Sequence, residues 1–412
     1  MTARHSLLVG TLTAVLTAGA LAATTPAAQA APPNRSAPPA ATAPAPIRLS
    51  LPAPTGPHPV GTTALHLVDP RRTDLWAPTP RPRELMAQVW YPAAACGSSG
   101  LPRAPWTGAA EQARLESDFL GITTPGRLVW PLTHSLVDAP ADHTGRHPVV
   151  LYSPGSRGDR SFGTTEAEDL ASRGYVVVGI DHTFDAGEVR FPDGRLEVRN
   201  TPAVHAMTDE EIVAYRTADT RFVLDRLTDL AAGTNPDAGH RELPSGLGPA
   251  LDLTAVGMLG HSMGGATAVQ TLHDDARVLA ATTLDGPVFG TSATDGVDRP
   301  LLLLGASDVR PARDAMWDAL WPRLTSWRRQ LTLSGSGHLS FSDFAVLLPA
   351  ARPVLTWPAE QLDQVLGTID GTRAGTVQRA YLAAFFDLHL RHRPTTLFDR
   401  PSPLFPEITH RR

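Results

Sequence analysis

A chain of 412 residues, 42% hydrophobic and 19% charged, can bury a sizeable core in one large domain or two ordinary ones. Its formal charge of −5 excludes a basic nucleic-acid surface. All 36 basic side chains are arginine, which excludes lysine Schiff-base chemistry and a phosphate-binding P-loop lysine. Cys96 is the only cysteine, so no intrachain disulfide can form; with no base beside it in Ala-Ala-Ala-Cys-Gly-Ser-Ser-Gly, it reads as a loop residue.

Residues 1–30 read as a secretory signal peptide. Arg4 gives a positive start, Leu7 to Ala23 form a small-residue apolar stretch, and Ala28-Gln29-Ala30 is an A-x-A cleavage pattern. The apolar stretch is shorter and less apolar than a bilayer span of ~20 residues, and no later stretch is long enough to cross. The chain is therefore expected to be secreted, without a transmembrane segment. Residues 31–59 are dense in Pro and Ala and predict an extended, poorly packed linker. No internal repeat is present. Residues 60–408 show no break in composition and read as one domain.

In that domain, strand and helix patterns alternate. Residues 84–92 predict a strand. Residues 147–155 form a continuous apolar run ending in turn residues, as a strand buried on both faces would. A helix over 165–174 stops at Gly174, and 175–182 is a second buried strand. Residues 190–198 predict a hairpin turning at Pro192-Asp193-Gly194. Thr208 and Glu211 form a capping box opening a long helix, with Ile212, Tyr215, Phe222, Val223, Leu227 and Leu230 on one face. Arg216 and Asp219 share that face and read as an ion pair anchoring the helix rather than a charged site. Strands follow at 255–262, 280–286, 299–307 and 331–338, with helices after Ser262, over 312–330 and over 377–390. This alternation predicts an α/β fold: a mostly parallel central sheet with helices on both faces.

Gly260-His261-Ser262-Met263-Gly264 is G-x-S-x-G between a strand and a helix, followed by another glycine. In that setting the serine sits on a sharp turn and projects from the sheet edge. The Met263 N–H, at the start of the helix, is placed to meet developing negative charge. A serine hydroxyl needs a base, and the base an orienting carboxylate, in the chain order Ser, acid, His on such a fold. Among fifteen histidines, His338 is the best base, because a Gly/Ser loop after the last predicted strand can carry its ring over the sheet edge. His261 adjoins the nucleophile but is expected to point away along the strand. His182 ends an earlier strand and reads as a residue holding a loop. Asp285 and Asp308 both end strands on the correct edge, and topology alone does not separate them.

Taken in order, "QVWYP", "VVLYSPGSRG", "DLASRGYVVVGIDH", "LGHSMGG", "LDGPVFG" and "GSGHLSFSDF" resemble α/β-hydrolases of the platelet-activating factor acetylhydrolase family, the plasma type and its bacterial relatives. The resemblance runs from about residue 83 to 345. It implies the α/β-hydrolase fold and, through Leu284, Asp285 and Phe289 in an L-D-x-x-x-F pattern, Asp285 as the acid. Gly335, Ser336, His338, Phe341, Asp343 and Phe344 match the pattern around the family's base. The loop after the strand at 147–153 implies the Ser156 N–H as second oxyanion donor. Pro154 stands there in place of the family's histidine, so the loop is expected to be set differently.

The expected chemistry is attack by Ser262 on an ester carbonyl, with His338 taking the proton, Asp285 stabilising the imidazolium, and the Met263 and Ser156 N–H groups binding the oxyanion. Because the base must be neutral, activity is expected to fall as the imidazole protonates (~6.5 for ordinary histidine). No metal or organic cofactor is expected, since neither metal-ligand spacing nor an oxygen cage for Ca²⁺ is evident. The family implies short-acyl phospholipid substrates; the residues alone imply ester cleavage, which a broader carboxylesterase, lipase or polyester hydrolase would share. The complete Ser, Asp and His set argues against a non-catalytic binding protein. Residues 113–138 are the candidate cap, or else a packed surface insertion. Val288, Phe289, Trp130 and Leu132 are candidates for the acyl pocket or the core. Transient contact with a lipid surface is compatible with the chain, although no basic amphipathic helix calls for it.

Overall fold

Four consecutive leucines, Leu301 to Leu304, show how this sequence builds its core. Side chains alternate across a strand, so a continuous apolar run supplies both faces of a sheet. In a computed structural model describing residues 45–412, Leu301 and Leu303 pack in the core on one face of the sheet, and Leu302 and Leu304 in the core on the other. Val149 and Leu151 oppose Val150 and Tyr152 in the same way, and Val176 and Val178 oppose Val177.

The central sheet has eleven strands, numbered in chain order: β1 Val60–Thr73, β2 Pro82–Pro92, β3 Arg103–Pro105, β4 Leu132–Val137, β5 His147–Ser153, β6 Val176–Asp181, β7 Leu251–His261, β8 Val278–Leu284, β9 Leu301–Ala306, β10 Arg328–Leu333 and β11 Ile408–His410. Their spatial order is β11-β10-β9-β8-β7-β5-β6-β2-β1-β4-β3. The six strands from β10 to β6 are parallel. β2 turns antiparallel to β6 and pairs with β1 over almost its full length. The main helices are α1 Thr164–Ser172, α2 Asp209–Ala231, α3 Met263–Asp274, α4 Pro311–Leu320, α5 Phe344–Ala351 and α6 Gly371–Leu390. Val223, Leu224 and Leu227 of α2, Val269 and Leu272 of α3 and Trp317 of α4 cover one face, and Leu170 of α1 with Tyr381, Phe385 and Phe386 of α6 cover the other. This is the α/β-hydrolase fold.

The capping box opens α2: the Glu211 N–H donates to Thr208 Oγ1 at 3.2 Å, and the Thr208 N–H to Glu211 Oε2 at 2.8 Å. The hairpin pairs Glu188–Arg190 with Leu196–Val198. The helix expected over 312–330 is shorter. It ends at Leu320, a 3₁₀ turn holds Pro322, and Arg328 to Gln330 already belong to β10.

The signal-peptide reading of residues 1–30 falls outside the described residues, as does the linker reading up to residue 44. The rest of that stretch is extended and anchored to the domain at a few points. Ile47–Arg48 pairs with Leu128–Val129, Leu49 and Leu51 are buried, and the Thr55 N–H donates to Asp169 of α1 at 2.8 Å. Proline limits regular structure there to the two-residue strand Ile47–Arg48, yet Leu49 and Leu51 still bury.

Residues 113–138 are not one cap. Their second half supplies β4. Their first half buries Leu115, Leu120 and Ile122 against Leu49, Leu51 and the α5 residues Phe344, Leu347 and Leu348. Val288 is core, Leu132 is 59% exposed, and Trp130 is partly exposed, stacked on Trp106 with centroids 5.1 Å apart. Among the described residues no helix is long and apolar enough to cross a membrane.

Leu303→Ala, at a fully buried position of the interior strand β9, is expected to cost ~3 kcal/mol in urea unfolding. Leu132→Ala, at an exposed site, is expected to change stability by less than ~0.5 kcal/mol. Equal losses would contradict this assignment of the core.

Candidate active site

Ser262 joins the end of β7 to the start of α3 with φ 55° and ψ −124°, a backbone conformation that side chains other than glycine rarely adopt. Its N–H is held by Leu284 O at 2.9 Å, and its carbonyl accepts the Gly265 N–H at 2.8 Å. The turn closes because its neighbours lack side chains. A Cβ on Gly264 would lie 1.9 Å from Ser153 O, and one on Gly260 would lie 2.0 Å from Gly264 O. These glycines are required for close approach, not for unusual backbone angles. Met263 opens α3, so its N–H is one of those a helix leaves without an internal partner.

His338 follows β10 and starts a 3₁₀ turn. Its Nδ1 lies 2.5 Å from Asp285 Oδ2. An ionised carboxylate only accepts, so Nδ1 carries the proton and Nε2 keeps its lone pair for a base role. Asp285 stands just past β8 with φ 51°. Its Oδ1 also accepts the Ala306 N–H at 2.9 Å and Arg313 Nη1, while Arg310 Nε lies 3.2 Å from Oδ2. Burial opposes ionisation of Asp285, but the His338 hydrogen bond and the charges of His338, Arg313 and Arg310 outweigh it, holding the carboxyl well below the usual carboxylate range. Asp308, the rival in the sequence, pairs with Arg310 at 2.9 Å and makes no hydrogen bond to His338 among the described residues. Nor does any hydrogen bond join Ser262 Oγ to His338 among them. Catalytic hydrogen bonds in unliganded enzymes are often loose and tighten when substrate binds.

The loop after β5 makes a turn in which the Gly158 N–H donates to Gly155 O at 3.0 Å and Arg157 takes φ 66°. A Cβ on Gly155 would come within 3.1 Å of Ser262 Cβ. The loop therefore lies against the turn at Ser262 despite Pro154. Ser156, the residue after that glycine, is exposed, and its N–H has no hydrogen-bond partner among the described residues.

Two features were not legible in the sequence. His261 does not point away. Its ring centroid lies 4.5 Å from that of His338, and its Nε2 donates to His338 O at 2.9 Å. Burial and then the adjacent His338 push its pKa down to about 3, so it stays neutral. Secondly, Arg216 and Asp219 do not pair with each other. Arg216 pairs with Asp185, and Asp219 with Arg83 and Arg72. Asp219 Oδ2 also lies 3.0 Å from His182 Nδ1, and His182 Nε2 lies 2.9 Å from Ser153 Oγ. This second Ser–His–Asp series is fully buried. Burial and then Arg216 lower the His182 pKa to about 4. It reaches no solvent and holds the end of β5. Among the described residues no group of three His, Cys, Asp or Glu side chains is disposed to hold a metal ion.

The chain matches the family described as "Platelet-activating factor acetylhydrolase, isoform II" over residues 46–391. It is 27% identical over 276 residues to a "Probable 1-alkyl-2-acetylglycerophosphocholine esterase" of Arthroderma benhamiae, covering 63% of this chain and 65% of that protein. It is 23% identical over 263 residues to the platelet-activating factor acetylhydrolase of Bos taurus, covering 60% of this chain and 57% of that protein. The chain thus spans less than two-thirds of the length of either relative. A solved ferulic acid esterase from Streptomyces cinnamoneus is 38% identical, with a TM-score of 0.75, covering 88% of this chain and 99% of that one. The strained turn at Ser262, the residues gathered around it and the match over most of the chain agree: this chain belongs to the platelet-activating factor acetylhydrolase, isoform II, family of ester hydrolases.

Proposed function

We propose that the chain is a secreted serine esterase acting through an acyl-enzyme. One observation carries this reading: the 2.5 Å contact between His338 and Asp285 lies at the same sheet edge as the strained Ser262 turn. Ser262 Oγ attacks the ester carbonyl as His338 Nε2 takes its proton. Asp285 keeps the ring in the required tautomer and stabilises the imidazolium. The N–H groups of Met263 and Ser156 bind the oxyanion. His338 then protonates the departing alcohol. Water, deprotonated by the same ring, releases the acid. His261 ties down the backbone of His338, which limits swinging of the base between the two half-reactions.

Short-acyl phospholipids of the platelet-activating factor type are the first substrate reading, on the strength of the family and its named relatives. Esters of ferulic acid are the second. The solved ferulic acid esterase covers far more of the chain at higher identity. The partly exposed rings of Trp130 and Phe162 also stack on Trp106, at 5.1 and 5.9 Å, and offer flat surface to an aromatic acyl group. Phe162 lies a few residues beyond Ser156, and its carbonyl accepts the Asp343 N–H of the His338 loop at 2.8 Å. Turnover of a 2-acetyl phospholipid, methyl ferulate and p-nitrophenyl esters of graded length separates these readings from a general carboxylesterase. Turnover of neither the phospholipid nor methyl ferulate, with strong long-chain activity, would remove both.

Ser262→Ala is expected to abolish turnover and labelling by a fluorophosphonate. Wild-type protein that resists the label would instead be a binding protein on this fold. Asp285→Asn is expected to lower kcat by ~10⁴-fold, with Asp308→Asn within a few-fold of wild type, measured side by side.

A further inference from the structure

We propose that Arg216 is a positioning residue of the oxyanion hole, acting through the Gly155–Ser156 peptide. This deepens the acyl-enzyme reading above and rests on it. Arg216 lies in α2 and is fully buried. Its Nη1 donates to Pro154 O at 2.7 Å and its Nη2 to Gly155 O at 3.1 Å. Gly155 O also accepts the Gly158 N–H at 3.0 Å. Two donors from different directions fix that carbonyl.

A peptide unit is planar, and in the trans form its C=O and N–H point in opposite directions. Anchoring Gly155 O to Arg216 therefore turns the Ser156 N–H away from the guanidinium. That N–H has no partner among the described residues, and its peptide adjoins Gly155, which abuts Ser262. A guanidinium on the carbonyl also polarises the amide, which strengthens the N–H as a donor.

The guanidinium itself has little freedom. Its Nε donates to Asp185 Oδ2 at 2.6 Å, and Asp185 is held in turn by Arg199. Asp185 Oδ1 lies 3.5 Å from Ser156 Oγ, so the same carboxylate meets both ends of the arrangement. A buried arginine carries a large desolvation penalty. Here its Nη1 and Nη2 donate to two consecutive carbonyls of one loop, so the loop cannot shift without leaving buried guanidinium N–H groups without those acceptors.

The test uses the full-length protein with p-nitrophenyl acetate and a trifluoromethyl ketone, whose adduct with Ser262 carries an oxyanion. Arg216→Met is expected to lower kcat by about 10²-fold, the scale of one lost oxyanion donor. KM should stay within about threefold, and ketone affinity should fall in parallel with kcat. Arg216→Lys keeps the charge with fewer aligned donors, and is expected to lie between the two. Millimolar guanidinium added to Arg216→Gly should restore part of kcat. A folded Arg216→Met with wild-type kcat and ketone affinity overturns the proposal. If Arg216→Met fails to fold, Arg216→Lys decides: parallel loss of kcat and ketone affinity at constant KM supports the proposal, and wild-type values overturn it. Ser262→Ala separates the two claims. If that variant is inactive while Arg216 variants are unimpaired, only the positioning role fails; if it keeps wild-type turnover, the acyl-enzyme reading fails.

Discussion

The close approach of α3 to the end of β5 sets the geometry of everything at this sheet edge. With 1.9 Å between the Ser153 carbonyl and any Cβ at Gly264, the helix can come this near only as glycine. That approach brings the loop after β5 against the elbow at Ser262, on the strand next to it. β8 lies on the other side of β7, and its next residue is Asp285. Adjacent parallel strands end at similar heights, so residues far apart in the chain meet without any local signal bringing them together.

Charge is buried unusually freely beneath this edge. Arg83, Arg216, Asp185 and Asp219 are all without solvent exposure. Replacing such networks with apolar side chains is often neutral or stabilising in other proteins. Here the network also reaches the chain at this sheet edge: Pro154 and Gly155 through Arg216, Thr183 through Arg83, and Ser153 at the end of β5 through His182. In a chain without lysine, the planar arginine fork can satisfy two acceptors in one plane, which an ammonium cannot do as well.

Much of this architecture was legible in the residues. Continuous apolar runs bounded by glycine identified β5, β6 and β9, because a strand covered on both faces has no polar side. Thr208 and Glu211 marked the start of α2 through a contact four residues long. Other parts depended on what packs against what. β1 is hard to read because it ends in Asp-Pro-Arg-Arg-Thr, where its pairing with β2 breaks after Asp69 and resumes only at Thr73. Residues 45–59 read as linker because proline dominates the composition, whereas burial of Leu49 and Leu51 depends on helix α5, some 300 residues away. Asp285 and Asp308 could not be told apart by strand position. They differ because Asp285 has a positive φ beside the His338 loop, and Asp308 is drawn to Arg310. Arg216 and Asp219 share one helical face, but their partners Asp185 and Arg83 lie on other elements, which spacing along a helix does not reveal.

β10 delivers His338, yet it is not the border of the sheet. Ile408 to His410 lie antiparallel against it, and Gln330 exchanges main-chain hydrogen bonds with Arg411 and Arg412. An open border strand presents a row of unsatisfied amides on which another molecule can add its own strand. Here the outermost segment is three residues long, too short to template such growth. The strand that leads to His338 is thereby covered along its outer edge.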